Sequence, residues 1–296
     1  MRDNYREIEL FIGPLREFET QDGSKASSIH IISNGNRDTL KVHVSCQKMV
    51  VSVASTCNIS IYNLKIETIN AIRTAGASVR VYVGYEGQEK NLLYTGSIRS
   101  VVTDRQGPDF VTRITCLAGG SSMIRSITSK SYAAGVDLKS AVMELAKQIP
   151  GITPDPANVN LHGAIGYAGW SFVGSTKDAL DKLAYQFGFS WNIDNGTFRA
   201  VQDGSYTGET ILLNSANGLR KVSPRLTGPL QIQEGVDIVS QYVPNVGPNR
   251  SVRVVSELNP NLNGRYACHT VGYDLCPKDD SWDMNITSFF TFGTWR

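Results

Sequence analysis

Residues 1–125 alternate apolar and polar positions with a period of two, which is the pattern of half-buried β-strands. Each alternating segment is bounded by Gly, Asn, Asp or Pro, the residues that favour turns. Short strands separated by such turn signals predict a β-barrel or β-sandwich. The segments are YREIELFIG, SSIHIIS, LKVHVSC, VVSVAS, NISIYNL, SVRVYVGYEG, LLYTGSIRSVVTD and DFVTRITCLAG.

One stretch of this first region departs from the alternation. After the strand NISIYNL, residues Glu67, Ile69 and Ile72 fall at helical spacing within ETINAIRTAG. Gly76 is a suitable stop for this element, because glycine readily takes the left-handed conformation that ends helices. The sequence therefore predicts a short helix directly after a strand, joined through an Asn-Leu-Lys turn.

Residues 126–203 carry helical rather than strand periodicity. In DLKSAVMELAKQIPG, Asp137 is placed to cap the start of a helix, and Pro150-Gly151 is predicted to end it. The apolar residues of this segment fall on one helical face, as expected for a helix that packs on a core. The predicted buried face consists of Leu138, Val142, Leu145, Ala146 and Ile149.

A second helix and a hairpin follow. Ser175 and Asp178 have the spacing of a capping box, and Gly188 is the predicted stop. Asn195-Gly196 is the favoured type I′ pair, so FSWNIDNGTFRAV is predicted to be a β-hairpin. The predicted apolar stripe of the second helix consists of Leu180, Leu183, Ala184 and Phe187.

Residues 204–296 return to short alternating segments, separated by the Gly- and Pro-rich clusters PRLTGP and PNVGPN. The segments are ETILLNS, GVDIVSQYV, SVRVVSEL, GRYACHTVGYDL and WDMNITSFFTF. This pattern predicts a second, smaller barrel or sandwich. The chain is thus expected to be mainly β with an α/β insert, divided into 1–125, 126–203 and 204–296.

Composition excludes several classes of protein. With 41% apolar and 19% charged residues in 296, the chain can bury real cores and is not expected to be disordered. A net charge of +2 lacks the basic excess of a nucleic-acid-binding protein. The first 15 residues lack the pattern of a signal peptide, and no apolar run approaches the ~20 residues of a membrane span. Synthesis in the cytoplasm and no membrane association are expected.

The five cysteines, Cys46, Cys57, Cys116, Cys268 and Cys276, are odd in number and show no C-x-x-C spacing. Cys46 and Cys57 lie in strand-like segments, where a free thiol usually acts as a small buried apolar group. Free core thiols are therefore expected in preference to a disulfide framework, which favours assembly in a reducing compartment.

The sequence offers no convincing catalytic, cofactor or metal site. His30, His43, His162 and His269 lack zinc-site spacing, and the chain has neither a G-x-S-x-G elbow nor a Gly-rich phosphate loop. Calcium could use the aspartates of PKDDSWD, but the D-x-D-x-D-G register is missing, so a solvated turn is expected there. We therefore predict no catalytic residues, no cofactor-binding residues, no metal ligands and no enzymatic activity.

Three stretches carry a family resemblance. NISIYNLKIETINAI with GASVRVYVGYEGQEKNLLYTGSI, then STKDALDKLAYQFGFSWNIDNGTF, then GRYACHTVGYDLCPKDDSWDMNI follow one another along the chain. In this order they resemble the central hub proteins of contractile phage tails and related injection machines. That family includes the baseplate hub subunits of T4-like and Mu-like phages, the late-control D family and the N-terminal hub region of the type VI secretion spike. The segment PNVGP departs from the family's Leu-rich turn.

The resemblance implies a structural protein with two tail-tube-like barrels flanking a small α/β domain. It implies a homotrimer forming a pseudo-hexameric ring that adapts a six-fold tail tube to a three-fold spike. The implied partners are a separate trimeric spike protein and a hexameric tail tube or distal tube protein, with the tape-measure protein as a further candidate. The implied location is the baseplate of the virion tail, and no specific nucleic acid is expected as a partner.

Two alternatives from other classes stay open at this point. One is a peptidoglycan hydrolase or peptidase, which would need a Glu or Cys-His constellation in a cleft. The other is a cell-wall-binding module centred on residues 126–203, in which Trp170 and Trp191 would stack on sugars. Core packing is the expected role of both tryptophans.

Overall fold

The structure is a computed structural model that describes residues 5–13, 29–50, 55–74, 78–118, 126–227 and 232–290. The protein is mainly β, as predicted, with three α-helices in the described ranges. No helix in these ranges has the length and apolar character needed to cross a membrane. The helices are α1 (Ile66–Thr74), α2 (Leu138–Ala146) and α3 (Thr176–Phe187).

With one exception in the third region, the strands of the first and third regions follow the predicted segments closely. They are β1 (Arg6–Gly13), β2 (Ile29–Asn34), β3 (Val42–Met49), β4 (Thr56–Tyr62), β5 (Ser78–Tyr85), β6 (Asn91–Gln106), β7 (Asp109–Leu117), β8 (Ile127–Tyr132), β9 (Val159–Asn160), β10 (Trp170–Ser175), β11 (Phe189–Asp194), β12 (Thr197–Gln202), β13 (Ile211–Asn214), β14 (Leu219–Thr227), β15 (Ile232–Gln241), β16 (Ser251–Val255), β17 (Gly264–Leu275) and β18 (Trp282–Phe290). Of the predicted strand VVSVAS, residues 51–54 lie outside the described residues.

The described chain divides into two compact units. Unit 1 consists of Met1–Gln47, Ser55–Ala118 and Gly272–Asp283. Its strands run in the order β3-β4-β7-β6-β5-β1-β2 and pair antiparallel throughout. One face is buried, as the alternation predicted: Ile8, Leu10, Ile59, Ile61 and Ile114 are fully buried.

The turn between β4 and α1 explains why a helix follows this strand. Asn63 adopts the left-handed conformation (φ 55°), which asparagine tolerates better than most residues. Its backbone N–H donates to the Phe110 carbonyl at 2.7 Å, and its side-chain amide donates to Asp109 at 2.8 Å. These two hydrogen bonds hold the turn against the β6–β7 hairpin. In the helix that follows, Ile69 and Ile72 of α1 are buried in the core. The predicted stop at Gly76 lies outside the described residues.

Strand β6 begins with the pattern L-x-Y-x-G over residues 92–96, and packing explains its tyrosine and glycine. Tyr94 is fully buried, and its hydroxyl donates to the Ser55 carbonyl at 3.1 Å. Its ring covers Gly96, two residues further along the same face. A Cβ added to Gly96 would lie 2.5–2.8 Å from the tyrosine ring and hydroxyl, so a larger residue displaces the tyrosine.

Unit 2 consists of Lys48–Ala54, Gly119–Val271 and Met284–Arg296. Its helices begin as predicted: Asp137 caps α2 by accepting from the Ser140 N–H at 2.9 Å, and Ser175 caps α3 by accepting from the Asp178 N–H at 3.1 Å. Gly188 ends α3 in the left-handed conformation. Asn195 and Gly196 both have positive φ, which confirms the predicted β11–β12 hairpin.

Helix α2 ends earlier than predicted. Regular helix stops at Ala146, and the following Lys147 is the C-cap residue, whereas the sequence pointed to Pro150-Gly151. Hydrogen bonds between residues three apart, from the Gln148 and Ile149 N–H groups to Leu145 and Ala146, tighten the chain beyond the helix. The tightened turn still buries Ile149, so the predicted apolar face is confirmed although the boundary is not.

Strand β14 is a correction to the sequence prediction, which took PRLTGP for a connection. Pro224 lies inside β14, opposite Val236 of β15. Proline is tolerated because β14 ends the strand order β14-β15-β18-β17, so its outer edge has no strand partner in the described ranges. The pattern also missed β8 and β10, which pair antiparallel, and β9, which pairs parallel with β12.

The G-V-x-I-x-S segment of β15 is held by a close backbone approach. A Cβ on Gly235 would lie 1.9 Å from the carbonyl oxygen of Ser288 in β18. Only glycine leaves room for this contact. Strands β16 and β13 extend the same sheet, since β16 pairs antiparallel with β17 and parallel with β13.

The cysteine prediction was wrong for one pair. Cys46 and Cys57 lie directly opposite each other on β3 and β4, and the structure joins them by a disulfide. Sequence could not show this, because strand register decides which residues face each other. Cys116, Cys268 and Cys276 are free and buried, as expected. The disulfide between Cys46 and Cys57 removes the argument for assembly in a reducing compartment.

The division into 1–125, 126–203 and 204–296 stays a proposal. One observation supports its central part: a single hydrophobic cluster draws all its buried members from between Tyr132 and Ala200. It joins one face of α2, one face of α3 and the inner face of the β11–β12 hairpin. Its most deeply buried large side chains include Leu138, Val142, Leu145, Leu180, Leu183 and Phe198.

Candidate functional site

The four histidines lie in separate environments. His30 stacks on an aromatic ring of β1, and His43 contacts the Asp274 carboxylate. His162 lies in an exposed loop. Burial, with a smaller contribution from the nearby Arg225 charge, lowers the pKa of His269, which favours its neutral form. In the described ranges, no three His, Cys, Asp or Glu side chains form a group that could hold a metal ion.

The aspartate cluster before β18 forms a turn, as expected. Asp279 pairs with Lys41 at 2.7 Å, and this hydrogen-bonded cation holds the pKa of the Asp279 carboxyl below its usual range. Asp283 instead lies within β18. The carboxylate that would have been the first calcium ligand therefore has a lysine as its partner.

Both tryptophans considered for sugar stacking belong to the core. Trp170 is 9% exposed and Trp191 is 2% exposed. The Trp191 indole N–H donates to Asp181 at 2.9 Å, which satisfies its polar group inside the fold. Neither ring presents a free face to a carbohydrate.

A cleft of about 420 Å³ lies within unit 2, lined by residues of α3, β11, β12, β17 and β18. It contains Ser190 and His269, the residue types of a hydrolase. The Ser190 hydroxyl donates to the Asn249 side chain at 3.1 Å, while His269 Nδ1 lies 3.2 Å from the Thr270 hydroxyl. Serine and histidine thus have different hydrogen-bond partners, and no hydrogen bond joins a serine nucleophile to a histidine base among the described residues of the cleft.

Exposed strand edges are the stronger candidate for function. Among the described strands, the order ends at β2 in unit 1 and at β14 in unit 2. A terminal strand carries a row of N–H and C=O groups that can pair with a strand of another chain. The two edge strands differ in how well they are protected against pairing with another chain, so one of them is the better candidate for an assembly interface.

Strand β14 has several features that oppose pairing. Pro224 removes a donor, and the register shifts between Leu219 and Lys221 and again between Arg225 and Leu226. Bulges, proline and basic side chains are the common means by which proteins protect a sheet edge. Strand β2, IHIISN, has no proline, lysine or arginine, and its register with β1 is regular over six residues. β2 is therefore the more open edge.

The direction of the free groups on β2 follows from two hydrogen bonds. The Glu86 N–H donates to the Tyr5 carbonyl, so alternate residues of β1, including Glu9, point their backbone groups towards β5. Glu9 faces Ile32 of β2. The N–H of Ile32 therefore points away from β1, as does that of Asn34, which is bonded to the Thr39 hydroxyl instead.

A second stretch of exposed edge belongs to the β6–β7 hairpin. Strand β6 pairs with β5 only as far as Ser97, and from Ile98 to Gln106 its partner in the described ranges is β7 alone. Val102 and Phe110 are 48% and 53% exposed on this extension. The sequence indicated strand β6 but not its exposed edge, because how far β6 extends beyond β5 depends on the register between the two strands.

A family model described as baseplate hub gp41 matches residues 27–288. No curated protein matches the sequence significantly. The fold is similar to that of a tail protein from Neisseria meningitidis MC58, with TM-score 0.62, 10% identity and coverage of 95% of this chain and 96% of that one.

Two further solved structures share the fold. A 43 kDa tail protein of prophage MuSo2 from Shewanella oneidensis has TM-score 0.62 and 12% identity, and the match covers 96% of this chain and 97% of that one. A type VI secretion component from E. coli, described as similar to T4 bacteriophage tail proteins, has TM-score 0.56 and 8% identity, covering 86% and 75%. At these identities the likeness concerns the fold alone.

Proposed function

The chain belongs to the baseplate hub gp41 family of phage structural proteins, and we propose that three copies form a hub ring through their exposed strand edges. Residues 1–125 and 204–296 of each copy would supply two tube-like barrels, flanking the central 126–203. Six barrels would make a pseudo-hexameric ring that adapts a six-fold tail tube to a three-fold spike. Membership of a baseplate family supports a location in the tail of the virion.

The open edge of β2 is the observation that carries this proposal. A ring closes by heterologous contacts, in which a donor edge of one subunit meets a different edge of the next. Backbone hydrogen bonds supply this contact with little dependence on side chains, so the two barrels can differ in sequence. We expect β2 to pair with the following subunit, and the β6–β7 extension, with Val102 and Phe110, to bury apolar surface against a neighbour.

The proposed partners follow from the same arrangement. A trimeric spike protein would bind the three-fold side of the ring, and a hexameric tail tube or distal tube protein would bind the six-fold side. The tape-measure protein is a further candidate for the lumen. No enzymatic activity is part of the proposal, because the function is supplied by obligate interfaces.

We predict three copies of the chain per assembled hub. Native mass spectrometry of the purified hub–spike complex, or of tail tips, measures the copy number directly. Three copies are expected because each chain would contribute two barrels to a ring of six barrels. Six copies would contradict the adaptor role, and the isolated chain need not be trimeric, since ring closure can require the spike.

We predict that Ile32→Pro impairs assembly while leaving the isolated chain folded. The substitution removes an N–H that points away from β1, so the bonds between β1 and β2 remain. The fraction of chain incorporated into the hub–spike complex, measured by size exclusion with light scattering, should fall by at least tenfold. The thermal unfolding midpoint should stay within a few degrees of wild type.

The neighbouring residue gives a matched control. Ile31→Pro removes an N–H on the side facing β1 and places the ring in the buried face, since Ile31 is 7% exposed. It should therefore lower stability itself. If Ile32→Pro assembles as well as wild type, β2 is not the edge that the ring uses.

A further inference from the structure

Three cysteines form a row across three neighbouring strands of unit 1. Cys46 of β3 faces Cys57 of β4, and Cys57 in turn faces Cys116 of β7. Residues opposite each other in a sheet place their side chains on the same face. All three are buried, with exposures of 2%, 0% and 0%. Cys57 therefore has a cysteine neighbour on each side, Cys46 in the disulfide and Cys116 as a free thiol.

The two pairs differ in their hydrogen-bond geometry. The Tyr62 N–H donates to the Lys41 carbonyl, which marks that opposed pair as hydrogen-bonded. Such pairs alternate along the ladder, so Cys46 and Cys57, five residues along it, form a non-hydrogen-bonded pair. Their Cα atoms lie 4.1 Å apart, close to the ~4.5 Å usual for such a pair.

On the other side of β4, where it pairs with β7, the cysteine pair is of the opposite hydrogen-bonding type. The Ala118 N–H donates to the Ser55 carbonyl at 2.9 Å, and the pair Cys116–Cys57 is two residues further along the same ladder. Cys116 and Cys57 are therefore a hydrogen-bonded pair, a type of pair whose Cα atoms are typically about 5.5 Å apart. Disulfides usually span Cα separations of roughly 4.4–6.8 Å, and the spacing of a hydrogen-bonded pair falls within this range.

We propose that Cys57 is a shared disulfide partner, which can be linked either to Cys46 or to Cys116. The two forms interconvert by thiol–disulfide exchange. The Cys116 thiolate attacks the Cys57 sulfur, the bond from Cys57 to Cys46 breaks, and Cys46 leaves as a thiolate that takes up the proton. One S–S bond forms as one breaks, so the exchange needs no oxidant or reductant.

The environment sets the rate of this exchange. Burial raises the pKa of the Cys116 thiol to about 12, so the attacking thiolate is scarce while the sheet is closed. Exchange is therefore expected during folding or when the sheet opens, and each form is then trapped by the closed sheet. The covalent link would join β3 to β4 in one form and β4 to β7 in the other. This inference does not depend on the proposed ring.

The test uses the full chain with Cys46→Ser. The variant is reduced and unfolded, then refolded with oxidised glutathione at pH 8 so that the cysteines are accessible while the sheet forms. It is then digested with trypsin, which cuts after Lys48 and Arg113 and so separates the three cysteines of the row. Mass spectrometry should find the peptides of Cys57 and Cys116 linked in most of the sample. The matched control Cys116→Ser should form the link between Cys46 and Cys57 under the same conditions.

The result that overturns the proposal is a folded Cys46→Ser variant that keeps Cys57 and Cys116 reduced while the control forms its bond. If Cys46→Ser does not fold, the wild-type chain is refolded from the reduced state in a glutathione buffer and mapped in the same way. Both links should then be found. A single link between Cys46 and Cys57, or no link in the row, overturns the proposal.

Discussion

Replacing Leu183 by aspartate is expected to unfold the central part of the chain. Leu183 lies on α3, is 0% exposed, and belongs to the cluster between Tyr132 and Ala200. The substitution removes a buried leucine side chain, which costs about 2–5 kcal/mol, and adds the penalty of burying an unpaired carboxylate. The sum is comparable to the ~5–15 kcal/mol stability of a typical domain.

The same helix supplies the control. Tyr185 is 95% exposed on α3, so Tyr185→Asp introduces the same charge two residues away without entering the core. Circular dichroism and urea titration should show cooperative unfolding near the wild-type midpoint for Tyr185→Asp, and loss of the cooperative transition for Leu183→Asp. A soluble Leu183→Asp protein with a wild-type transition would show that this helix face is exposed in solution.

Proline at Val81 is expected to destroy unit 1, and proline at Val254 to destroy the β13–β16–β17 part of unit 2. Val81 pairs with Leu10 on one side and Tyr94 on the other, and Val254 pairs with Leu213 and Gly264. Both valines are 0% exposed. A central strand that receives a proline loses a ladder hydrogen bond on one side and must accommodate a rigid ring, so proline is found essentially only on edge strands or at bulges.

From sequence alone, each of these positions could have belonged to an edge or to a central strand. Because both are central, we expect aggregation or loss of near-ultraviolet circular dichroism in the isolated chain. Ile32→Pro at the edge of β2 is the contrast, since the same type of substitution should there spare the fold. A folded Val81→Pro chain with a wild-type unfolding midpoint would contradict the strand order of unit 1.

The local features of the fold were predictable because they depend on neighbours in the chain. Asp137 and Ser175 cap helices through bonds to residues three positions away, and Asn195-Gly196 closes a hairpin between adjacent strands. The predicted buried faces of both helices follow from a period of 3.6 residues. The three-residue spacing of a cap and the period of a helix are visible in any window of about 15 residues.

Features that depend on partners far along the chain were not predictable. Pro224 marked a turn by its local preference, yet it lies in β14, where an unpaired outer edge makes it acceptable. Cys46 and Cys57 looked like free core thiols, yet register places them opposite each other. The candidate functional edge of β2 was equally hidden, since an edge is defined by a neighbour that is lacking among the described strands.

The sequence by itself determined the mainly β class, the positions of the helices and most strands, and the family resemblance that the match over residues 27–288 confirmed. Alternation and capping encode these features directly, because burial of one face requires a periodic pattern. Only the tertiary structure decided which strands are central, which are edges, and which cysteines face each other. Backbone hydrogen bonds between strands are formed by groups that every residue carries, so their pairing leaves little trace in the side-chain sequence.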